Sequence, residues 1–248
     1  SGGSQRIPAG AEGGHRVRLS SLLPLNRVLA CRLIPWFVRW GMSANQVTTL
    51  SLFAGVLGGL FFLQGRPLGF ALGAVLFFAA NLLDECDGGV ARATGKASGF
   101  GSWFDTATGC LVHMIFFFTV GLGLARQSGS SGWMTLGAVT ALGVLLATVA
   151  FVGAQAWARG REAWIHPDPP RQTVTDPLEW LKAGLRTDFS WVVLLAAWLG
   201  VLRWILWGAF LGTYLFWIPG DFRAALRLRH RPEGRGAAST SCSRQLSA

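Results

Sequence analysis

The chain alternates between long apolar runs and short polar breaks. Residues 1–15 are polar and glycine-rich and are expected to be a disordered N-terminus. Over 16–42, Arg16, Arg18, Arg27, Arg32 and Arg39 interleave with Leu22, Leu25, Val28, Leu29, Leu33, Ile34, Trp36 and Phe37. The apolar positions recur every three or four residues. This predicts a basic amphipathic helix in a membrane interface, divided at Pro24 and Pro35. Six long apolar stretches follow, at 45–64, 68–93, 100–125, 132–158, 188–201 and 203–222. A helix needs about 20 such residues to cross a bilayer. The last two are kept apart because together they are too long for one crossing and Gly200 offers a turn. The fold class predicted is therefore an all-α integral membrane protein: six transmembrane helices over 43–225, preceded by the interfacial helix. Residues 226–248 read as a disordered basic tail. The segment 159–187 holds Pro167, Pro169, Pro170 and Pro177. It cannot be wholly helical, although Asp176-Pro177 suits the capped start of a short helix.

Composition sharpens this picture. The chain is 51% hydrophobic and only 14% charged, yet Lys+Arg number 22 against 12 Asp+Glu. A soluble nucleic-acid binder would carry abundant charge clustered on polar surfaces, so no nucleic-acid partner is expected. With the N-terminus inside, six spans leave only Arg66, Arg126 and Arg203 of the cations outside. The positive-inside rule selects that orientation, with both termini cytoplasmic. Setting aside Arg92 and Lys96, which stand at the inner end of the second span, does not change the result. The first segment is polar, so no cleavable signal is predicted. Cys31, Cys86, Cys110 and Cys242 show neither zinc-ligand nor disulfide-framework spacing. No inverted repeat of broken helices speaks for a transporter.

With so few acids, their placement carries the chemistry. Asp84, Glu85 and Asp87 close the second apolar run, and Asp105 stands early in the third. Carboxylates at membrane depth are costly and by default mark function, though charges also commonly end spans. Asp84 and Asp87, three apart, share a helical face, and Asp105 on the following antiparallel helix can face the same point. Crowded carboxylates repel, and a hard divalent cation such as Mg²⁺ or Mn²⁺ relieves the conflict. Gly88 and Gly89 clear the backbone beside Asp87 for a ligand or a helix. Arg92, with Lys96 beyond it, can meet a phosphate. Metal, cation and cleared backbone together suit a diphosphate leaving group.

The stretch 84–105, DECDGGVARATGKASGFGSWFD, resembles the signature of the CDP-alcohol phosphotransferases, Asp-x2-Asp-Gly-x2-Ala-Arg-x8-Gly-x3-Asp-x3-Asp. Asp84, Asp87, Gly88, Ala91, Arg92, Gly101 and Asp105 fall at the matching positions. The resemblance extends more loosely over 20–225, including Asn45 and Thr48 at the start of the first span. It implies metal-dependent transfer of a phospho-alcohol group from a CDP-alcohol to an acceptor, with release of CMP, in phospholipid or polar-headgroup synthesis. It further implies a homodimer in a membrane (a bacterial inner membrane is the expected setting) with its site open to the cytoplasm. The metal ligands implied are Asp84, Asp87 and Asp105. The residues implied to contact or shape the site for CDP and substrate are Asn45, Thr48, Asp84, Gly88, Ala91, Arg92 and Gly101; Arg159, after the fourth span, is a candidate for an acceptor phosphate.

The chain departs from the pattern at one position. The final Asp, assigned in the family to the acceptor side as base and metal neighbour, is here Gly109. Three explanations compete. The chain is a degenerate, non-catalytic relative that binds a nucleotide-lipid or a partner; or His113, one turn further on the same face, replaces the base; or the acceptor brings an ionised nucleophile. General-base help is typically worth about 10²–10⁴ in rate, so its loss need not abolish activity. The stretch LNRVLACRLIPWFVRWGMSANQVT and the cluster Arg186, Asp188 and Phe189 resemble the branch of the family that uses polar CDP-alcohols, CDP-inositol included.

Overall fold

The structure, a computed structural model, describes residues 25–159 and 189–217, and every regular element among them is helical. The predicted N-terminal disorder, the first part of the interfacial helix, the proline-bearing inner segment with Arg186 and Asp188, and the basic tail lie outside the described residues.

Helix α1 spans Leu25–Arg39 and continues through Pro35, where the sequence led us to expect a division. Pro35 is exposed, and α1 runs through it although its missing N–H removes one hydrogen bond of the ladder. The helix ends at Gly41, whose φ of 69° fits a left-handed cap. There the Met42 N–H reaches the Phe37 carbonyl and the Gly41 N–H the Val38 carbonyl, both at 3.0 Å, which is the Schellman pattern.

Four helices are long and apolar enough to cross a membrane: α2 (Ala44–Phe62), α3 (Pro67–Thr94), α4 (Gly99–Ser128) and the Gly132–Gly153 part of α5 (Gly132–Arg159). Each has a local reason to begin or end where it does. Ser43 and Gln46 form a reciprocal capping box at the start of α2. Pro67 occupies the first turn of α3, where its missing N–H costs nothing. Gly95 closes α3 in a left-handed cap, and Ser98 caps α4 by accepting the Gly101 N–H at 3.0 Å. Helices α3 and α4 are thus joined by a four-residue turn.

Of the fifth and sixth predicted spans, the described residues show two shorter helical pieces. Helix α6 (Phe189–Trp198) has ten residues, too few for a straight crossing. Helix α7 (Leu202–Gly212) runs into a π-helical turn over Thr213–Trp217. The break expected at Gly200 is present: its φ is 69°, and the Val201 N–H bonds the Ala196 carbonyl at 2.8 Å.

An aromatic core lies between α2, α3 and α4. Phe62, Phe77, Phe116 and Phe117 are buried, with Phe77 stacked on Phe116 at 4.0 Å between centroids. Helix α1 makes a second, smaller core, in which Ala30 and Phe37 meet Val47, Cys86 and Val90. It is tied to α6 by a buried hydrogen bond from Asn26 Nδ2 to Ser190 Oγ, 2.9 Å. The second core braces the C-terminal half of α3, which carries the acidic residues.

Candidate active site

Helix α3 has 28 residues, about 42 Å at 1.5 Å per residue. The hydrocarbon core is about 30 Å thick. The first twenty residues of α3 suffice to cross it, so Asp84 and Asp87 stand near the boundary where the span ends. Asp105 lies in the second turn of α4, beyond the short turn. The turn therefore folds Asp105 back to the level of the α3 carboxylates.

The geometry bears this out. One oxygen from each of Asp84, Asp87 and Asp105 lies within 4.8 Å of the others. Asp87 is 3% exposed, and its Oδ2 accepts a 2.5 Å hydrogen bond from Thr48 Oγ1. The same hydroxyl lies 3.1 Å from the Ala44 carbonyl. Asp84 Oδ1 is buried with no hydrogen-bond partner among the described residues. An orphaned buried carboxylate oxygen is expensive, and three converging oxygens are the donor set that a hard divalent cation takes. The residues present therefore fit such an ion.

The other predicted residues sort themselves around this cluster. Exposed Asn45 comes to Gly101: a Cβ on Gly101 would stand 3.3 Å from Asn45 Oδ1 and 3.2 Å from Ser98 Oγ. Arg92 folds over Gly88, with Nη1 3.4 Å from where a Cβ would stand. Ala91 contributes its carbonyl to the turn, accepting the Lys96 N–H at 3.1 Å. Gly89, read from the sequence as cleared for a ligand or a helix, is occupied by a helix: Ile34 of α1 sits against it. Arg159 ends α5, and its side chain lies outside the described residues.

Gly109 faces the cluster. A Cβ there would meet Asp84 Oδ1 at 3.7 Å and nothing else within 4 Å among the described residues. His113 Nδ1 lies 2.8 Å from the Gly109 carbonyl, and the imidazole packs edge-on against Phe77, 5.4 Å between centroids. Phe77 precedes Asp84 by seven residues, about 10 Å along α3. The ring is thus held against the aromatic core at Phe77.

Sequence reasoning passed over two residues. Ser98 both caps α4 and borders Gly101; its position before a helical run was the available signal. Ser102, three before Asp105, buries its Oγ without a hydrogen-bond partner among the described residues. Its helical spacing from Asp105 was the only sign of it.

The model of the family described as "CDP-alcohol phosphatidyltransferase" matches residues 41–215. The chain belongs to that family. Two relatives support the assignment. The chain is 30% identical over 110 residues to a bifunctional IPC transferase and DIPP synthase of Aquifex aeolicus, covering 44% of this chain and 24% of the relative. It is 32% identical over 84 residues to an archaetidylinositol phosphate synthase of Pyrococcus horikoshii, covering 34% and 43%. The chain thus spans less than half the length of either relative. Within the family match lie α2 to α7 and all three clustered carboxylates.

Proposed function

We propose that this CDP-alcohol phosphatidyltransferase family member moves a phospho-alcohol group from a CDP-alcohol to an acceptor and releases CMP, at the cytoplasmic face of a membrane. The observation that carries the reading is the convergence of Asp84, Asp87 and Asp105 around the unpartnered Asp84 Oδ1. These three residues would hold Mg²⁺ or Mn²⁺, which supplies charge neutralisation at the diphosphate and leaving phosphate. In the transfer, an acceptor oxygen forms a bond to the phosphorus of the phospho-alcohol half. The P–O bond to CMP breaks, and CMP leaves with the electron pair. Thr48 fixes Asp87 in one orientation through its 2.5 Å hydrogen bond. Arg92, exposed above the Gly88 gap, is placed to meet phosphate oxygens. Asn45 and Ser98 border Gly101, where a side chain would crowd them, and these residues would meet the nucleotide.

The Pyrococcus relative is named for an inositol phosphate lipid, which supports inositol phosphates as the first acceptors to try and CDP-linked lipids or CDP-inositol as donors. An acceptor attacking through an ionised phosphate oxygen would need no proton removed and would give a diphosphate linkage, whereas an inositol phosphate attacking through a hydroxyl must lose that proton to a base other than residue 109. Purified full-length protein given Mg²⁺ or Mn²⁺ and a panel of these donors should release CMP. Absence of release across donors and acceptors, from folded protein, would count against catalysis.

The open position beside Gly109 favours one second reading, a non-catalytic relative that binds a nucleotide-lipid. Gly109→Asp separates the two. If the unsubstituted protein is inert and the variant turns over a hydroxyl acceptor, the binding reading stands. Turnover by the unsubstituted protein ends it.

A further inference from the structure

Three hydroxyls of α4 turn back onto their own helix. Thr106, Thr119 and Ser128 donate to the carbonyls of Ser102, Ile115 and Leu124, four residues back, at 2.9, 2.6 and 2.8 Å. This is the local partner open to a hydroxyl inside a helix. Ser102 does not take it. The Ser98 carbonyl, four residues back, accepts the Ser102 N–H at 3.1 Å, while Ser102 Oγ is buried with no hydrogen-bond partner among the described residues. A buried hydroxyl left in that state is costly. Asp84 Oδ1, a second such atom, belongs to the carboxylate cluster.

Asp105 is the link between them. Its carboxylate oxygen lies within 4.8 Å of one from Asp84, and it follows Ser102 by three residues on α4. Helical side chains lean toward the N-terminus of their helix. Asp105 therefore leans over the turn that carries Gly101 and Ser102, and of these two only Ser102 has a donor to offer. A carboxylate that ligates a cation is itself held by a hydrogen-bond donor. Asp87 has its donor already, Thr48 Oγ1 at 2.5 Å. We propose that Ser102 does the same for Asp105: with a divalent cation on the three carboxylates, Ser102 Oγ donates to Asp105 and fixes its orientation. Ser102 is thus a positioning residue that acts through Asp105. The inference rests on the reading of Asp84, Asp87 and Asp105 as a cation site. The signature leaves position 102 open, between Gly101 and Asp105, so this hydroxyl is a feature of the chain and not of the pattern.

Mn²⁺ binding to the purified full chain, without nucleotide or acceptor, tests this, with free Mn²⁺ read from its electron paramagnetic resonance signal. Ser102→Ala should weaken Mn²⁺ binding by about 10–100-fold, the cost of losing a partner to a metal ligand. Ser102→Thr keeps the hydroxyl and should bind nearly as tightly as the unsubstituted protein. Melting separates this role from a structural one. Without metal, Ser102→Ala removes an orphaned hydroxyl, so the melting temperature should hold or rise. At a fixed Mn²⁺ concentration, the increase that the metal gives should be smaller in the variant. Unchanged Mn²⁺ affinity in folded Ser102→Ala overturns the inference, and so does a lowered melting temperature without metal. A loss of CMP binding with Mn²⁺ affinity intact would put the hydroxyl on the nucleotide and also overturns it. If the unsubstituted protein binds no Mn²⁺, the cation reading fails and this inference falls with it. If Ser102→Ala does not fold, Ser102→Cys, close in shape but a weak donor, is judged by the same outcomes.

Discussion

Glycines at the two ends of the α2–α3–α4 bundle have opposite surroundings. Away from the carboxylates, several are filled in by backbone or side-chain atoms of the neighbouring helix. A Cβ on Gly121 would stand 2.6 Å from the Trp133 carbonyl oxygen and 2.8 Å from Gly137 Cα, and one on Gly73 would stand 3.0 Å from the Gly58 carbonyl oxygen. At the carboxylate end Gly89 is filled by Ile34, whereas Gly88, Gly101 and Gly109 face the polar side chains of Arg92, Ser98, Asn45 and Asp84 at 3.2 Å or more. The first set lets helices touch, the usual use of small residues in membrane bundles. The second leaves polar space. Identical residues thus separate a packed end from an end open to a ligand, and the separation is tested by substitution at each.

The largest effect is expected at the open end. Asp87→Asn should reduce CMP release by about 10³-fold, because metal-borne charge stabilisation is worth several kcal/mol at 1.36 kcal/mol per decade. The melting temperature should hardly move. If activity persists, the open end is not the reacting end. Next comes the packed end: Gly121→Leu should destabilise by about 1–3 kcal/mol through overpacking, read as a lowered midpoint in a denaturation series. An unchanged midpoint would break the contrast.

Thr48→Val tests the contact between the two halves of the site. Losing a hydrogen bond to a charged group costs about 1.5–3 kcal/mol, so the rate should fall by roughly tenfold or more, and Thr48→Ser should restore most of it. The smallest effect is expected for Gly109→Ala, a stability gain of about 0.5–1 kcal/mol from replacing a glycine inside a helix, since its Cβ meets only Asp84 Oδ1 at 3.7 Å.

What the sequence made legible follows from distance along the chain. Asp84 and Asp87 share a face by helical spacing alone. Asp105 joins them because only the short turn after Gly95 separates α3 from α4. The cap at Gly200 was equally local. The hydrogen bond from Thr48 to Asp87 spans 39 residues, and only the family resemblance drew attention to Thr48. Gly89 could not be assigned between ligand and helix, since nothing local says that Ile34, far upstream, will occupy it. The shortness of the apolar run over 188–201, by contrast, was visible in the sequence, and the left-handed Gly200 ends α6 as expected. Pro35 misled because its loss of one ladder hydrogen bond is outweighed by what lies beyond it, Phe37 in the second core and the cap at Gly41.

The bond between Asn26 and Ser190 sets a timetable for biogenesis. Its partners are 164 residues apart, on the order of ten to thirty seconds of translation at about 5–20 residues per second. During that interval α1 has been synthesised, but its α6 partner has not. Helix α1 therefore precedes its partner by the synthesis of the four long helices, and the latch closes only once Ser190 has left the ribosome.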